Sequence, residues 1–354
     1  MFLPPRCPYR SCSAFSTPTP ASLRPHGHYR AKCRSQPIPR FRCRACLRTF
    51  SRQTFRMDYR DHRPDLNGRL FQALASGLGL RQCSRNLHLS LRCTELKFRK
   101  IARHLRRLNL NLRQGLPRGA SFQMDELETY EERRNTRPLS VPVLIEKNTR
   151  FIVWAQAAPI RPRGKMTPSR RQAVEEDQKR LGKRRDRSWN ALRRTLARAR
   201  ALAENLGQVV LETDKKTLYE GLARSAFGPG RLVHSRTSSR LPRTVSNPLF
   251  PINHTEAMAR DLVGRLRRES WLVSKRRRYL DLGLQLFIAY RNYVRRRFNF
   301  DEQSPAQRLG FAARRLSEQE LVGWRQDWAE CSIHPLARAT ESVAEVRSGL
   351  SPAA

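Results

Sequence analysis

The chain has 354 residues, of which 71 are Lys or Arg and 30 are Asp or Glu, a net charge of +41. That length suffices for two or three domains, and a surplus of that size repels itself in the compact state unless a polyanion neutralises it. The charge therefore points to nucleic acid without specifying an activity. No run of about 18 apolar residues is present, which excludes a transmembrane helix. The opening Met1–Arg6 lacks the apolar core of a secretory signal, and eight cysteines in so long a chain do not form a small disulfide scaffold. A reducing, cytoplasmic setting beside the nucleoid is the expectation.

The first 60 residues carry the first pattern. Cys7 and Cys12 form one pair and Cys43 and Cys46 a second, about thirty residues on. Each pair can turn two thiolates toward one ion, and four thiolates complete a closed tetrahedral zinc site. Strand-like Arg40-Phe41-Arg42 enters the second pair and Thr49-Phe50-Ser51 leaves it, as a zinc ribbon requires. Cys33, His26 and His28 lie between the pairs as less favoured substitutes. Cys83, Cys93 and Cys331 read as packing residues.

Residues 64–112 predict three helices. Leu66, Leu70, Phe71 and Leu74 share one helical face, and Gly77-Leu78-Gly79 breaks it. Leu80–Leu87, the turn His88-Leu89-Ser90 and a helix from Leu91 have the rhythm of a helix-turn-helix. Ser90 is placed to cap the second helix, and Arg92, Lys97, Arg99 and Lys100 on that helix are candidate DNA contacts. A plain basic three-helix bundle is the competing interpretation.

From Phe122 the pattern changes to short β-branched or aromatic runs: Phe122–Asp125, Val141–Glu146, Phe151–Ala155 and Val209–Thr213. Residues 161–204 interrupt them with fifteen Arg or Lys against five Asp or Glu. That imbalance suggests an exposed helical arm that grips DNA backbone. Residues 254–298 predict long helices, with Trp271 expected in the core. Met124-Asp125-Glu126 and Glu212-Thr213-Asp214 each end a predicted strand. Two aspartates on neighbouring strands can hold a divalent metal, and oxygen ligands suit Mg²⁺. Glu256, near the start of the following helix, is the candidate third ligand, with Asn253 three residues before it on the same face.

Together these motifs resemble the transposases of small bacterial insertion sequences, the type-one family and its relatives, over about residues 5–310. The resemblance rests on the Cys-pair pattern closing with Arg40 to Ser51, on Met124-Asp125-Glu126, and on Thr213-Asp214 with Tyr219 beyond. It rests also on Arg260, Arg265-Leu266-Arg267-Arg268 and Ser274-Lys275. It implies a catalytic domain of ribonuclease-H-like fold with Asp125, Asp214 and Glu256 holding Mg²⁺ or Mn²⁺. Metal-activated water would cut at the element ends, and the freed 3′-hydroxyl would attack target DNA. Arg260, Arg265, Arg268 and Lys275 would meet phosphates, with the three arginines about one turn apart on a single helix. One departure stands out: the family order is Glu, then Asn three residues later, whereas here Asn253 precedes Glu256.

The expectation is thus an α+β chain with a zinc ribbon (1–60), a helix-turn-helix domain (61–118) and a ribonuclease-H-like mixed-sheet domain (119–310). The last holds the basic insert, and a C-terminal extension (311–354) follows. Structural Zn²⁺ and catalytic Mg²⁺ are the expected ions. Double-stranded DNA, as element ends and as target, and further copies of the chain on that DNA are the expected partners. The alternative is a catalytically inactive or domesticated transposase-derived DNA-binding regulator, which would need no acidic triad.

Overall fold

A computed structural model describes residues 4–110, 115–267 and 270–324. At the N-terminus a single helical turn, α1 (Ser13–Ser16), precedes a three-stranded antiparallel sheet of β1 (Leu23–Tyr29), β2 (Ile38–Cys43) and β3 (Thr49–Ser51), in that order. Its small core consists of Phe41, Phe50 and Phe55 around buried cysteines.

Three helices follow: α2 (Leu66–Ala75), α3 (Leu80–Asn86) and α4 (Leu91–Leu110). Leu66, Leu70 and Phe71 are buried as their spacing requires. The Ser90 hydroxyl accepts a hydrogen bond from the Cys93 backbone N–H at 3.2 Å and caps α4. His88, at φ +50°, turns the chain between α3 and α4. The buried stripe Phe98, Ile101, Leu105 and Leu108 makes α4 a core helix.

The main sheet comprises β4 (Ser121–Tyr130), β5 (Pro138–Glu146), β6 (Ile152–Ala155) and the short β7 (Ala158–Pro159). After helices α5 (Pro168–Leu181) and α6 (Ser188–Leu202) it gains β8 (Val209–Asp214), and after α7 (Thr217–Phe227) it gains β9 (Leu232–Thr237). The strand order is β6-β5-β4-β8-β9, with β7 beside β5. β4, β5 and β6 are antiparallel neighbours, whereas β8 and β9 run parallel to β4. The chain closes with α8 (Phe250–Leu262), α9 (Arg277–Ala289) leading into a π-turn at Tyr290–Val294, α10 (Pro305–Arg308) and α11 (Glu318–Gly323).

Both faces of the sheet are covered. Leu139, Val141, Val143 and Ile145 of β5 pack toward α8 and α9, while Leu144 joins the opposite layer with Leu192 and Leu196 of α6. Burial on both faces is why β5 reads as a continuous apolar run rather than an alternating one. The same alternation fixes β4: Phe122 and Met124 face the α6–α7 layer, and Leu127 faces α8. Asp125, two residues before Leu127, therefore lies on the α8 face.

Several expectations are corrected. β4 continues to Tyr130 rather than ending at Asp125, because β5 pairs with it from Phe122–Glu146 through Tyr130–Pro138. The basic insert is not one exposed arm. α5 buries only Asp177, but α6 buries Leu192, Leu196, Ala199 and Leu202 and is part of the main core. Arg260 and Arg265 do not share one helix: α8 ends at Leu262, and Gly264 begins a short 3₁₀ turn that holds Arg265. A Cβ on Gly264 would lie 2.4 Å from the Gly77 carbonyl oxygen, so this close approach of two backbones requires glycine. Trp271, in the loop that follows, is 96 % exposed rather than in the core. Helices α2–α4 share one hydrophobic core with the sheet and with Phe311, Leu321 and Trp324, so residues 311–324 are packed structure. Cys331 lies outside the described residues.

Candidate functional site

The two predicted aspartates meet. The parallel β4–β8 ladder pairs Gln123 with Glu212 and Met124 with Thr213, so Asp125 and Asp214 follow side by side. By the period of two, Gln123, Asp125, Glu212 and Asp214 share the face that looks toward α8. Asp125, Asp214, Asn253 and Glu256 line one cavity of about 280 Å³, with Arg243 and Arg260 also on its wall.

A buried glutamine sets this arrangement. Gln123 is fully buried, and its side-chain oxygen accepts a hydrogen bond from the Ile252 N–H at 3.0 Å. Its amide nitrogen donates to Glu212 Oε2 and to the Pro248 carbonyl, each at 2.7 Å. The first turn of α8 is thereby tied to β4, and Glu256, one turn beyond Ile252, is carried over Asp125. Lys147 neutralises the other Glu212 oxygen at 2.6 Å. Gln123→Leu should leave the Ile252 N–H and the Pro248 carbonyl unpaired in the interior. A loss of about 3 kcal/mol in a denaturant titration of the full chain is expected; a change within about 0.5 kcal/mol would show that this tie does not hold α8.

The electrostatics of the cavity are those of crowded, poorly solvated carboxylates. Burial raises the Asp125 carboxyl, and the charge of Asp214 raises it further, against the Glu126 N–H that hydrogen-bonds it. Glu256 is 7 % exposed, and burial followed by the Asp125 charge pushes it up to about 8, with Arg260 and Arg243 opposing. Its Oε1 is buried without a hydrogen-bond partner. A buried acidic oxygen without a donor, beside a second carboxylate, is a costly arrangement that a bound cation relieves. Oxygen donors from three elements suit Mg²⁺ or Mn²⁺. Among the described residues, the cysteines described below are the group whose ligand atoms all lie within 4.8 Å of one another; the three carboxylates do not form such a group.

Glu126 also lines the cavity, and its carboxylate is held by residues of other elements. Tyr219, fully buried, donates to Glu126 Oε2 at 3.0 Å, Ser140 donates to Oε1, and Lys216 pairs with it. Burial and the Glu126, Asp125 and Asp214 charges push the Tyr219 phenol up, which keeps it a donor. The tether ties Glu126 to Lys216 and Tyr219 at the start of α7.

At the N-terminus the four cysteine sulfurs all lie within 4.8 Å of one another. The Cys7–Cys46 and Cys12–Cys43 separations are both 3.7 Å. A tetrahedron with Zn–S bonds of about 2.3 Å has S···S edges of about 3.8 Å, so the set fits a zinc ion. Burial pushes the Cys7 thiol up to about 12. At Cys43 burial works in the same direction, but the N–H groups of Cys46 and Ala45 outweigh it and bring the thiol down to about 7. Cys33 is exposed and Cys83 buried, both apart from the cluster.

The candidate DNA contacts divide. Arg92 is exposed on the first turn of α4, and Lys275 is exposed in the loop before α9. Lys97 is corrected: it is 5 % exposed and its ammonium is enclosed by Asp61, Asn67 and the Arg63 carbonyl. Lys100 pairs with the same Asp61 at 2.5 Å, and Arg99 lies 3.9 Å from Glu95. Arg265 is also corrected, since it stacks over Phe98 and Tyr279 rather than continuing α8. Burial lowers its guanidinium. Arg268 lies outside the described residues. Arg260, on the last turn of α8, remains beside the acidic cavity.

Neither a protein-family model nor a curated protein matches the sequence. Gln123, Arg243 and the tether on Glu126 escaped the sequence reading. Only Gln123 carried a legible signal, as the residue two before Asp125 on the same strand face.

Proposed function

We propose that the chain is a DNA transposase, which cuts DNA at the ends of a mobile element and joins the freed strand to target DNA through metal-dependent phosphoryl transfer. One observation carries this reading: Asp125, Asp214 and the buried Glu256, whose Oε1 has no hydrogen-bond partner, line one cavity from two adjacent strands and the helix above them. Three antiparallel strands extended by two parallel ones, with helices on both faces, support the ribonuclease-H-like arrangement that the resemblance implies.

A divalent metal bound there would activate an attacking oxygen and stabilise the leaving one in an in-line displacement. The protein's share is positional and electrostatic. Asp125, Asp214 and Glu256 supply the anionic oxygens, and Gln123 and Glu212 fix their backbone. Arg243 and Arg260 offer positive charge where scissile and neighbouring phosphates would lie. α3 and α4, with Arg92 exposed, form the helix-turn-helix of this reading, and double-stranded DNA is the partner. The cysteine cluster would hold structural zinc. Copies of the chain would bring two element ends together.

The order Asn253 before Glu256 favours the second reading, a transposase-derived DNA-binding regulator without catalysis. Incubation with plasmid DNA in Mg²⁺ and in its absence separates the two. Nicked or joined strands that require the metal are expected. DNA binding without any strand breakage would favour the regulator.

A further inference from the structure

A second cavity, of about 850 Å³, lies on another side of the same helix. Asn253 and Glu256 line the acidic cavity, whereas His254 and Met258 line this one, opposite the segment 294–301 and Arg315. Its chemistry is the reverse of the first. Phe300 is 100 % exposed, and Phe298 stands beside it under the guanidinium of Arg297. Asp301 is occupied by Arg297 at 2.5 Å and by Arg308 at 3.3 Å, and Glu302 by Arg296 at 3.3 Å. Arg295 and Arg315 have no acidic partner among the described residues.

Behind the cavity the positive charge is buried as well. Arg291 is 1 % exposed and Arg150 is 7 % exposed. Arg291 donates to the carbonyls of Arg296 and Arg297, and Arg150 stacks over Phe298 at 4.1 Å and Phe250 at 5.3 Å. Neither makes an ion pair among the described residues, where Arg291 Nε, Arg150 Nη1 and His254 Nδ1 are buried without hydrogen-bond partners. Burial and neighbouring arginines bring both guanidinium groups down to about 10 and His254 to about 4. Charges enclosed this way, without counter-ions, repel one another and are relieved by an anion. The uncovered aromatic ring adds a flat apolar platform. Arginines that reach phosphates beside a ring that stacks a base are the elements of single-strand recognition. A duplex hides its base faces and cannot use that ring.

We propose that this cavity takes an unpaired nucleotide of a DNA strand, with its base on Phe300 and its phosphates on Arg295 and Arg315. The inference rests on the DNA reading of the acidic cavity for its biological sense, since α8 would then hold the reacting phosphate on one side and a base released from the duplex on another.

The test uses the full chain and a fluorescein-labelled single-stranded deoxyoligonucleotide of about 15 residues, beside the matching duplex, without added Mg²⁺. Phe300→Ala should weaken single-strand binding about tenfold and leave duplex binding within about twofold, and Phe300→Trp should retain both. Arg315→Ala should reduce the salt dependence of single-strand binding by about one phosphate contact. Because Phe300 is fully exposed, its loss does not endanger folding. Unchanged single-strand affinity in Phe300→Ala, or an equal loss for the duplex, would overturn the proposal. The two readings fail separately. A Phe300-dependent preference in a chain that never cleaves DNA keeps this site and removes the transposase. Metal-dependent cleavage with no role for Phe300 does the reverse.

Discussion

Glu256→Gln should abolish DNA cleavage and joining while leaving DNA binding intact. Metal ions packed against a scissile phosphate need several anionic oxygens, and the amide supplies none of that charge. Asn253→Ala should weaken cleavage far less, because its carbonyl is neutral to begin with. Cleavage assays of both variants in Mg²⁺ or Mn²⁺ decide the order, and greater damage at Asn253 would transfer the role to it. The same substitution should stabilise the metal-free fold. Burial raises the Glu256 carboxyl to about 8, so folding takes up a proton between its ordinary value of 4.5 and that pH. Wild-type stability from this group is therefore present below pH 4.5 and lost as the pH rises through about 8. The advantage of Gln should grow over that window to a few kcal/mol. A variant less stable than wild type at pH 8 would mean that ionised Glu256 has a favourable partner.

Loss of the metal from the cysteine cluster should have the largest effect on stability. Cys7, Cys12 and Cys43 themselves form much of the N-terminal core, beside only three phenylalanines and an alanine. So small a core does not offset the chain entropy of residues 4–60 without an additional tie. Structural zinc binding in comparable small modules is worth about 10–16 kcal/mol. One zinc per chain is expected, absent in Cys43→Ser, with proteolysis of that variant confined to the N-terminal segment. Residues 66–324 have their own core and should stay protected. Purified protein without metal, or a stoichiometry unchanged by Cys43→Ser, would refute the assignment.

What was legible in the sequence followed from local periodicity. The cysteine spacing, the strand that ends at Asp214 and the capped α4 are local patterns that formed where expected, whereas the strand of Asp125 runs on to Tyr130. Asp125 and Asp214 came together because β8 pairs in parallel with the first half of β4, which sets the end of β8 beside the middle of β4. Long-range charge pairing was not legible. Lys97 looked like a groove-facing cation until Asp61, 36 residues earlier, enclosed it. Arg265 looked like the next turn of α8, but Gly264 ends that run and the side chain stacks on rings from α4 and α9. α6 was concealed by composition: its arginines suggested an arm, while Leu192, Leu196, Ala199 and Leu202 already marked a core face. The anchoring role of Gln123 depended on Pro248 and Ile252, more than 120 residues away.

The most direct measurement is a strand-transfer assay with wild-type protein, DNA carrying the sequences on either side of its own gene, a target duplex and Mg²⁺. The expected result is nicking at discrete positions in those flanks and covalent joining to target, both lost in Asp125→Asn and Asp214→Asn with DNA affinity retained. Wild-type protein that binds these flanks and neither cuts nor joins them, or aspartate variants that remain fully active, would contradict the account.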